Sequence, residues 1–330
     1  MTLDPSRVRL GRRSIVATSL GATLALGGVR SRAFAQDREV RIGYQKGSAV
    51  LLILKSTGTL EERLGDFGYA VSWTEFPAAL PLLEAMNAGS VNFGSTGAAP
   101  VIFAQAAGTD PVYALSTASS PKSQAIIVPA DSPIETAADL AGKTVAAAKG
   151  SIALALLVRA LESAGLQWGD AEPAYLLPAD AKAAFTGGSI DAWSIWDPYY
   201  AAEEFASGAR AVETNESLGM PNRGFYTADR RFAEEHGDAL AVLAAALGET
   251  ETWVGEHPEE VAETIAAEIG MDARVLLAAE QRKVYGTESI SDDVLAGQQD
   301  LADMFFGLGL IPEPLDVSQA TLPALSTLAS

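Results

Sequence analysis

Hydrophobic and polar positions follow two different periods along this chain, and each change of period marks an element. Val40-Arg-Ile42-Gly43-Tyr44 alternates with period two and predicts a first strand. Gln45-Lys46-Gly47-Ser48 reads as a turn, and the apolar run from Ala49 to Leu54 opens a helix. Tyr69 to Phe76 predicts a second strand, Pro77 a turn, and Leu80 to Asn87 a helix that Gly89-Ser90 ends. Val91 to Gly94 is a short strand, Ser95-Thr96-Gly97 a loop, and Pro100 to Ala107 a helix. This β-α-β-α order predicts a parallel sheet with helices on its faces.

The pattern then resets. Gln124 to Pro129 is an apolar strand. Thr136-Ala-Ala-Asp139 fits a capping box, with Gly142 placed to end the turn. Thr144 to Ala148 predicts a strand, followed by Lys149-Gly150-Ser151 and a long helix. Ala153, Leu156, Leu157, Ala160, Leu161 and Ala164 give that helix its buried face. Ala174 to Leu177 is a strand, Ala179 to Thr186 a helix, and Ile190 to Ile195 a strand. Gly224 to Thr227 reads as a return strand, and helix dominates from Ala228 to Leu308. Two α/β units joined by crossings near 126–130 and 224–228 predict two lobes with a cleft between them. The expected division is lobe 1 over 36–128 with 227–330, and lobe 2 over 129–226.

Ligands of open parallel sheets sit beyond the carboxyl ends of the strands. Four loops follow strands in this way, at 45–48, 95–97, 149–151 and 196–199, two from each lobe. The first three offer backbone N–H groups at helix starts, which attract anions. Each alone is an ordinary turn in most proteins; three on one side of a cleft are more specific. The fourth ends Asp191-Ala-Trp-Ser-Ile-Trp-Asp-Pro-Tyr-Tyr200, which holds four aromatics within eight positions of a chain that is 7% aromatic. Those rings suit either a pocket wall or plain core. Pro198 stops a helix from running through them, which predicts rings carried at the end of an extended segment.

Residues 1–35 stand apart. Arg12-Arg13 leads into a weakly apolar run, and Ala33-Phe34-Ala35 suits signal peptidase. This is the pattern of an export signal, with paired arginines that favour the twin-arginine route. Cleavage after Ala35 removes six arginines and one aspartate, taking the net charge from −19 to −24. With no cysteine to accept lipid, the expected product is soluble and periplasmic. Such a charge disfavours nucleic acid and anionic membranes as partners.

The chain has no cysteine, and His236 and His257 are its only histidines. Thiolate chemistry, a histidine triad, a metal cluster and a cofactor site are therefore not expected. Asp197 is the one carboxylate that the pattern places at the cleft, with no second group to make an acid–base pair.

Several motifs then line up with a known family. Arg41-Ile-Gly-Tyr-Gln-Lys-Gly-Ser48, Gly94-Ser-Thr-Gly97, Ile102-Phe-Ala-Gln-Ala-Ala-Gly108 and Ser132-Pro-Ile134 occur in order. Ala138-Asp-Leu140, Lys149-Gly-Ser151, Pro178-Ala-Asp-Ala181, Ala184-Phe185 and Asp191 to Tyr200 continue the series. Through the whole mature chain the sequence resembles the periplasmic aliphatic sulfonate-binding proteins of ABC importers. The resemblance implies an α/β, two-lobed, type II periplasmic binding protein with a ligand cleft between the lobes. It implies a non-enzymatic role: a monomer that carries organosulfonates to membrane permease subunits for sulfur assimilation. By the same resemblance Gln45, Lys46, Ser95, Thr96, Gly97, Gly150 and Ser151 line the anion end. Trp193, Trp196 and Asp197 face it from lobe 2.

Two departures matter. Many family members carry aspartate after Gly-Ser-Thr-Gly, where this chain has Ala98. After Lys-Gly-Ser the family often continues Ser-Ser-His-Asn, where this chain has Ile152-Ala153-Leu154-Ala155. Either the pocket is more apolar and takes bulkier or aromatic sulfonates, or these residues face the lobe core. Taurine, nitrate or another small organic anion is the alternative ligand. An enzyme like those that make the thiamine pyrimidine is the alternative class.

Overall fold

The computed structural model describes residues 38–326 and Leu328. The export signal expected over 1–35 lies outside the described residues. The strands are β1 (Glu39–Tyr44), β2 (Ala70–Glu75), β3 (Phe93–Gly97), β4 (Pro111–Thr117), β5 (Gln124–Val128) and β6 (Thr144–Ala147). They continue with β7 (Glu172–Tyr175), β8 (Ala192–Trp196), β9 (Arg210–Thr214), β10 (Gly224–Asp229) and β11 (Thr287–Glu288). The helices are α1 (Ala49–Thr57), α2 (Thr59–Gly65), α3 (Ala79–Asn87), α4 (Ala98–Ala106), α5 (Ile152–Ser163) and α6 (Pro178–Thr186). After them come α7 (Tyr199–Ser207), α8 (Arg230–Glu235), α9 (Gly237–Glu256), α10 (Pro258–Ile269), α11 (Ala273–Glu280) and α12 (Asp292–Gly307).

Two sheets form. One has the order β11-β4-β10-β3-β1-β2, the other β7-β6-β8-β5-β9. Within each, the strands that feed a following helix run parallel: β2, β1 and β3 in the first, β7, β6 and β8 in the second. The strands nearest the crossings run antiparallel to them, β10 against β3 and β5 against β8. Both sheets are therefore mixed rather than parallel throughout.

The crossings fall at 118–123 and 215–223, earlier than expected. Gln124 to Val128, expected in the first lobe, pairs with β8 and β9 in the second sheet. β4 and β9, which the periodicity did not suggest, occupy sheet positions next to those crossings. Ser95 to Gly97, expected as a loop, completes β3, because β10 supplies backbone partners at Tyr226, Phe225 and Gly224. Tyr199 and Tyr200 are helical rather than extended. Pro198 sits at the N-cap of α7, where its missing N–H costs nothing.

Apolar burial follows the helices. α1 buries Ala49 through Leu54 against the first sheet, and Gly58 ends it in the left-handed conformation. α5 is apolar on nearly every side, as a helix covered on two faces must be. Leu156, Leu157, Ala160 and Leu161 pack into the second lobe. Leu154, Ala155 and Val158 pack with Phe103 and Phe305 of the first. Among the described residues no helix is long and apolar enough to cross a membrane.

Candidate ligand-binding cleft

The turns after β1, β2, β3, β6, β7 and β8 all line one cavity of about 390 Å³ between the sheets. All six lead into a helix, and four of the N-cap residues are small or polar: Ser48 for α1, Ala78 for α3, Gly97 for α4 and Ser151 for α5. Only Ser151 caps its own helix by side chain, accepting from the Leu154 N–H at 3.3 Å. The other three have no side-chain cap, so first-turn N–H donors are left to spare beside the cavity. Four positive dipole ends on one cavity make a site for negative charge.

Side chains extend that donor set. Ser48 Oγ lies 2.7 Å from Ser95 Oγ, and the Gln45 N–H donates to Ser48 Oγ at 3.2 Å. One hydroxyl of the pair donates to the other, which leaves one O–H for a third partner. One N–H of Gln45 Nε2 donates to the Ser95 carbonyl at 3.0 Å, which ties the turn to β3. Thr96 is buried and its hydroxyl donates to the Phe225 carbonyl at 3.5 Å.

Of the three cations at the cavity, Arg223 and Lys283 are occupied, and Lys149 is exposed. Arg223 donates to the Thr117 carbonyl at 3.0 Å and to Glu288 at 2.5 Å. Lys283 reaches Glu280 at 2.8 Å and the Gly47 carbonyl at 3.0 Å. Glu251 is buried in the cavity wall, where it accepts from Tyr226 Oη and the Gly286 N–H, each at 2.8 Å. Burial pushes its carboxyl above the usual range. Neutral donors, with the exposed Lys149 beside them, therefore make the anion end. Leu80, Pro100, Ile152, Tyr175, Leu177 and Trp196 supply apolar wall. Among the described residues no group of three acidic or histidine side chains could hold a metal.

The family described as NMT1/THI5 like matches residues 74–261. A relative from Escherichia coli (strain K12), named an aliphatic sulfonates-binding protein, is 39% identical over 308 residues, spanning 93% of this chain and 96% of that protein. The chain belongs to the aliphatic sulfonate-binding protein family. The solved structure of the alkanesulfonate-binding protein SsuA from Xanthomonas axonopodis pv. citri bound to MOPS has a TM-score of 0.82 to this fold at 36% identity, covering 86% of this chain and 98% of that one. The periplasmic aliphatic sulphonate binding protein SsuA from Escherichia coli gives 0.78 at 40% identity, covering 86% and 91%. This aliphatic sulfonate-binding protein family member shares their two-lobed fold.

Most residues expected at the site of this sulfonate-binding family member do line the cavity: Gln45, Ser95, Thr96, Gly97, Gly150, Ser151, Trp196 and Asp197. Two do not. Lys46 turns away, and its ammonium donates to the Ile269 carbonyl, at the end of α10, at 2.8 Å. Trp193 is 1% exposed and packs in the second lobe's core with Phe185 and Tyr199, ring centroids at 6.0 and 6.4 Å. Asp197 lines the cavity, but its carboxylate is bound by Arg282 and the Ala201 N–H rather than by Lys46. Of Ile152 to Ala155 only Ile152 reaches the cavity; the other three are buried. Ile152 is therefore cavity wall, and Ala153 to Ala155 are core.

Gly47 and Gly150 mark where the lobes touch. A Cβ on Gly47 would lie 3.0 Å from the Asp197 carbonyl oxygen. One on Gly150 would lie 3.1 Å from Phe103 Cγ and 3.2 Å from Leu80 Cδ2. Leu80, Tyr175, Leu177, Arg223, Glu251 and Lys283 also line the cavity and were not singled out by motif, and Ser48 of the 45–48 loop was not named as a site residue. Ser48 was detectable as the helix N-cap of its turn. The segment containing Arg282 and Lys283 carries no local signal, since helical sequence surrounds it.

Proposed function

We propose that this chain is an extracytoplasmic solute-binding protein that captures aliphatic sulfonates in the cleft and delivers them to an ABC importer. The observation that carries the reading is the convergence of four helix N-termini on a cavity whose remaining wall is mostly apolar. Each hydrogen bond to a charged head group contributes about 1.5–3 kcal/mol, and three or four offset its desolvation. The lobe division runs through the two crossings, and ligand is held as the lobes close. Ile152 at the head-group end favours bulkier or aromatic sulfonates over taurine-like ones. Residues 1–35 act as an export signal, and the mature protein works as a soluble periplasmic monomer.

A binding role rather than catalysis is supported by the lining itself. His236 bonds to Tyr69, and His257 to the Trp253 carbonyl; neither lines the cavity. A thermal-shift series over sulfonates, taurine, sulfate and nitrate tests the proposal. A ligand at a hundredfold over its Kd adds about 2.7 kcal/mol. At roughly 2 °C per kcal/mol for a chain this long, several degrees are expected with sulfonates. A shift with nitrate and none with any sulfonate overturns the reading.

A further inference from the structure

The turns at the cleft are ordered by their strands. In the first sheet β3, β1 and β2 lie progressively farther from the crossing strands β4 and β10. In the second, β8, β6 and β7 lie progressively farther from β5 and β9. The edge strands β2 and β7 therefore deliver their turns at the mouth. The β2 turn runs into α3, whose first turn holds Leu80. The β7 turn carries Tyr175 and Leu177.

Tyr175 is 45% exposed and Leu177 40%, although both line the cavity. Three of the six exposed large apolar side chains among the described residues line this one cavity: Tyr175 and Leu177 at the mouth, and Val284 beside the crossing at Ser120. Bare apolar surface concentrated in a cleft marks where an apolar group is received. Leu80 also connects the mouth to the head-group end, since Gly150, beside the α5 cap, packs against its Cδ2.

We infer that Leu80, Tyr175 and Leu177 form a collar that reads the tail of the bound sulfonate. The substrate class is then sulfonates whose tail, several carbons long or aromatic, leaves the cleft between these three side chains. This rests on the sulfonate reading above and adds where and how the tail is recognised.

Calorimetry over linear sulfonates from one to eight carbons tests it, with the full mature chain and a Tyr175→Ser, Leu177→Ser double variant. Wild type is expected to tighten about fourfold per methylene, the ratio that about 0.8 kcal/mol gives, until the tail clears the collar. In the variant the gain with length collapses, while methanesulfonate reports the head-group end separately. Thermal unfolding checks that the variant folds, which exposed positions allow. A flat length series in wild type overturns the collar. So does a series that survives in the variant, as it would if these side chains served only to meet the permease. So does a series abolished instead by Val284→Ser, which would route the tail toward the crossings. Head-group binding without a length effect leaves the sulfonate reading standing; no binding by any member overturns both.

Discussion

Arg282 holds Asp197 across the junction of the lobes. Its Nη1 lies 3.2 Å and 3.4 Å from the two carboxylate oxygens, its other amino group meets Glu204, and its guanidinium stacks 3.9 Å above the Tyr200 ring. Asp197 is 3% exposed and follows β8, while Arg282 follows α11, which packs on α10 of the first lobe. An arginine suits this place because one planar group serves two carboxylates and a ring together.

Removing that cation strands two carboxylates. Arg282→Gln should destabilise the ligand-free protein by about 3 kcal/mol, the usual cost of leaving a buried charge unpaired. Ligand should also dissociate faster, because the pair spans the lobes. Urea unfolding and stopped-flow release measure the two effects. Unchanged release alongside lost stability would confine Arg282 to folding.

Asp197 makes stability depend on pH with an unusual sign. Burial drives its carboxyl up to about 6, against the opposing pull of Arg282, the Ala201 N–H and Lys283. The native state then holds this proton more tightly than the unfolded chain does. The associated stability is fully present below about pH 4 and is lost as pH rises through 6, to the extent of about 3 kcal/mol. Buried Glu251, also raised, acts in the same sense. Urea titrations from pH 4 to pH 7.5 should show this decline in wild type and a flatter profile in Asp197→Asn.

The two tryptophans of β8 should separate cleanly. Trp193→Ala empties a core position and should cost about 3–5 kcal/mol of stability. Trp196→Ala, at a half-buried cleft position, should cost less stability and more affinity. Thermal melts paired with calorimetry distinguish them; equal effects on both readouts would contradict the assignment.

Gly150→Ala tests closure. Gly150 has φ +66°, and a methyl group there meets Phe103 and Leu80 of the opposite lobe. Gly188, at φ +69° with nothing within 4 Å of a built Cβ, carries the backbone cost alone. Both alanine variants should lose about 1 kcal/mol of stability. Only Gly150→Ala should also weaken ligand binding tenfold or more, and equal affinities in the two variants would count against closure at this contact.

Much of this arrangement was legible in the residues. The strand-turn-helix units at 40–54 and 144–163 and the strand at 190–195 have strong periodicity, and the anion-facing turns fell where strands end. The misses have physical causes. β9, Arg-Ala-Val-Glu-Thr, is short and half polar, as befits an edge strand. Lys46 beside glycine resembles an anion ligand, yet a carbonyl 223 residues away captures it. No local pattern reports a partner at that distance. The tryptophans were decidable in principle, since Trp193 and Trp196 differ by an odd number of positions and so point to opposite faces of a strand.

The order of strands from crossing to edge has a mechanical consequence. Rotation about the crossings moves each turn in proportion to its distance from them, so β2 and β7 carry the longest lever arms. The turns after β3 and β8 would then travel least, and those that carry Leu80, Tyr175 and Leu177 farthest. In the proposed closure a ligand's charge would be held where the lobes move little, and its bulk where they move most.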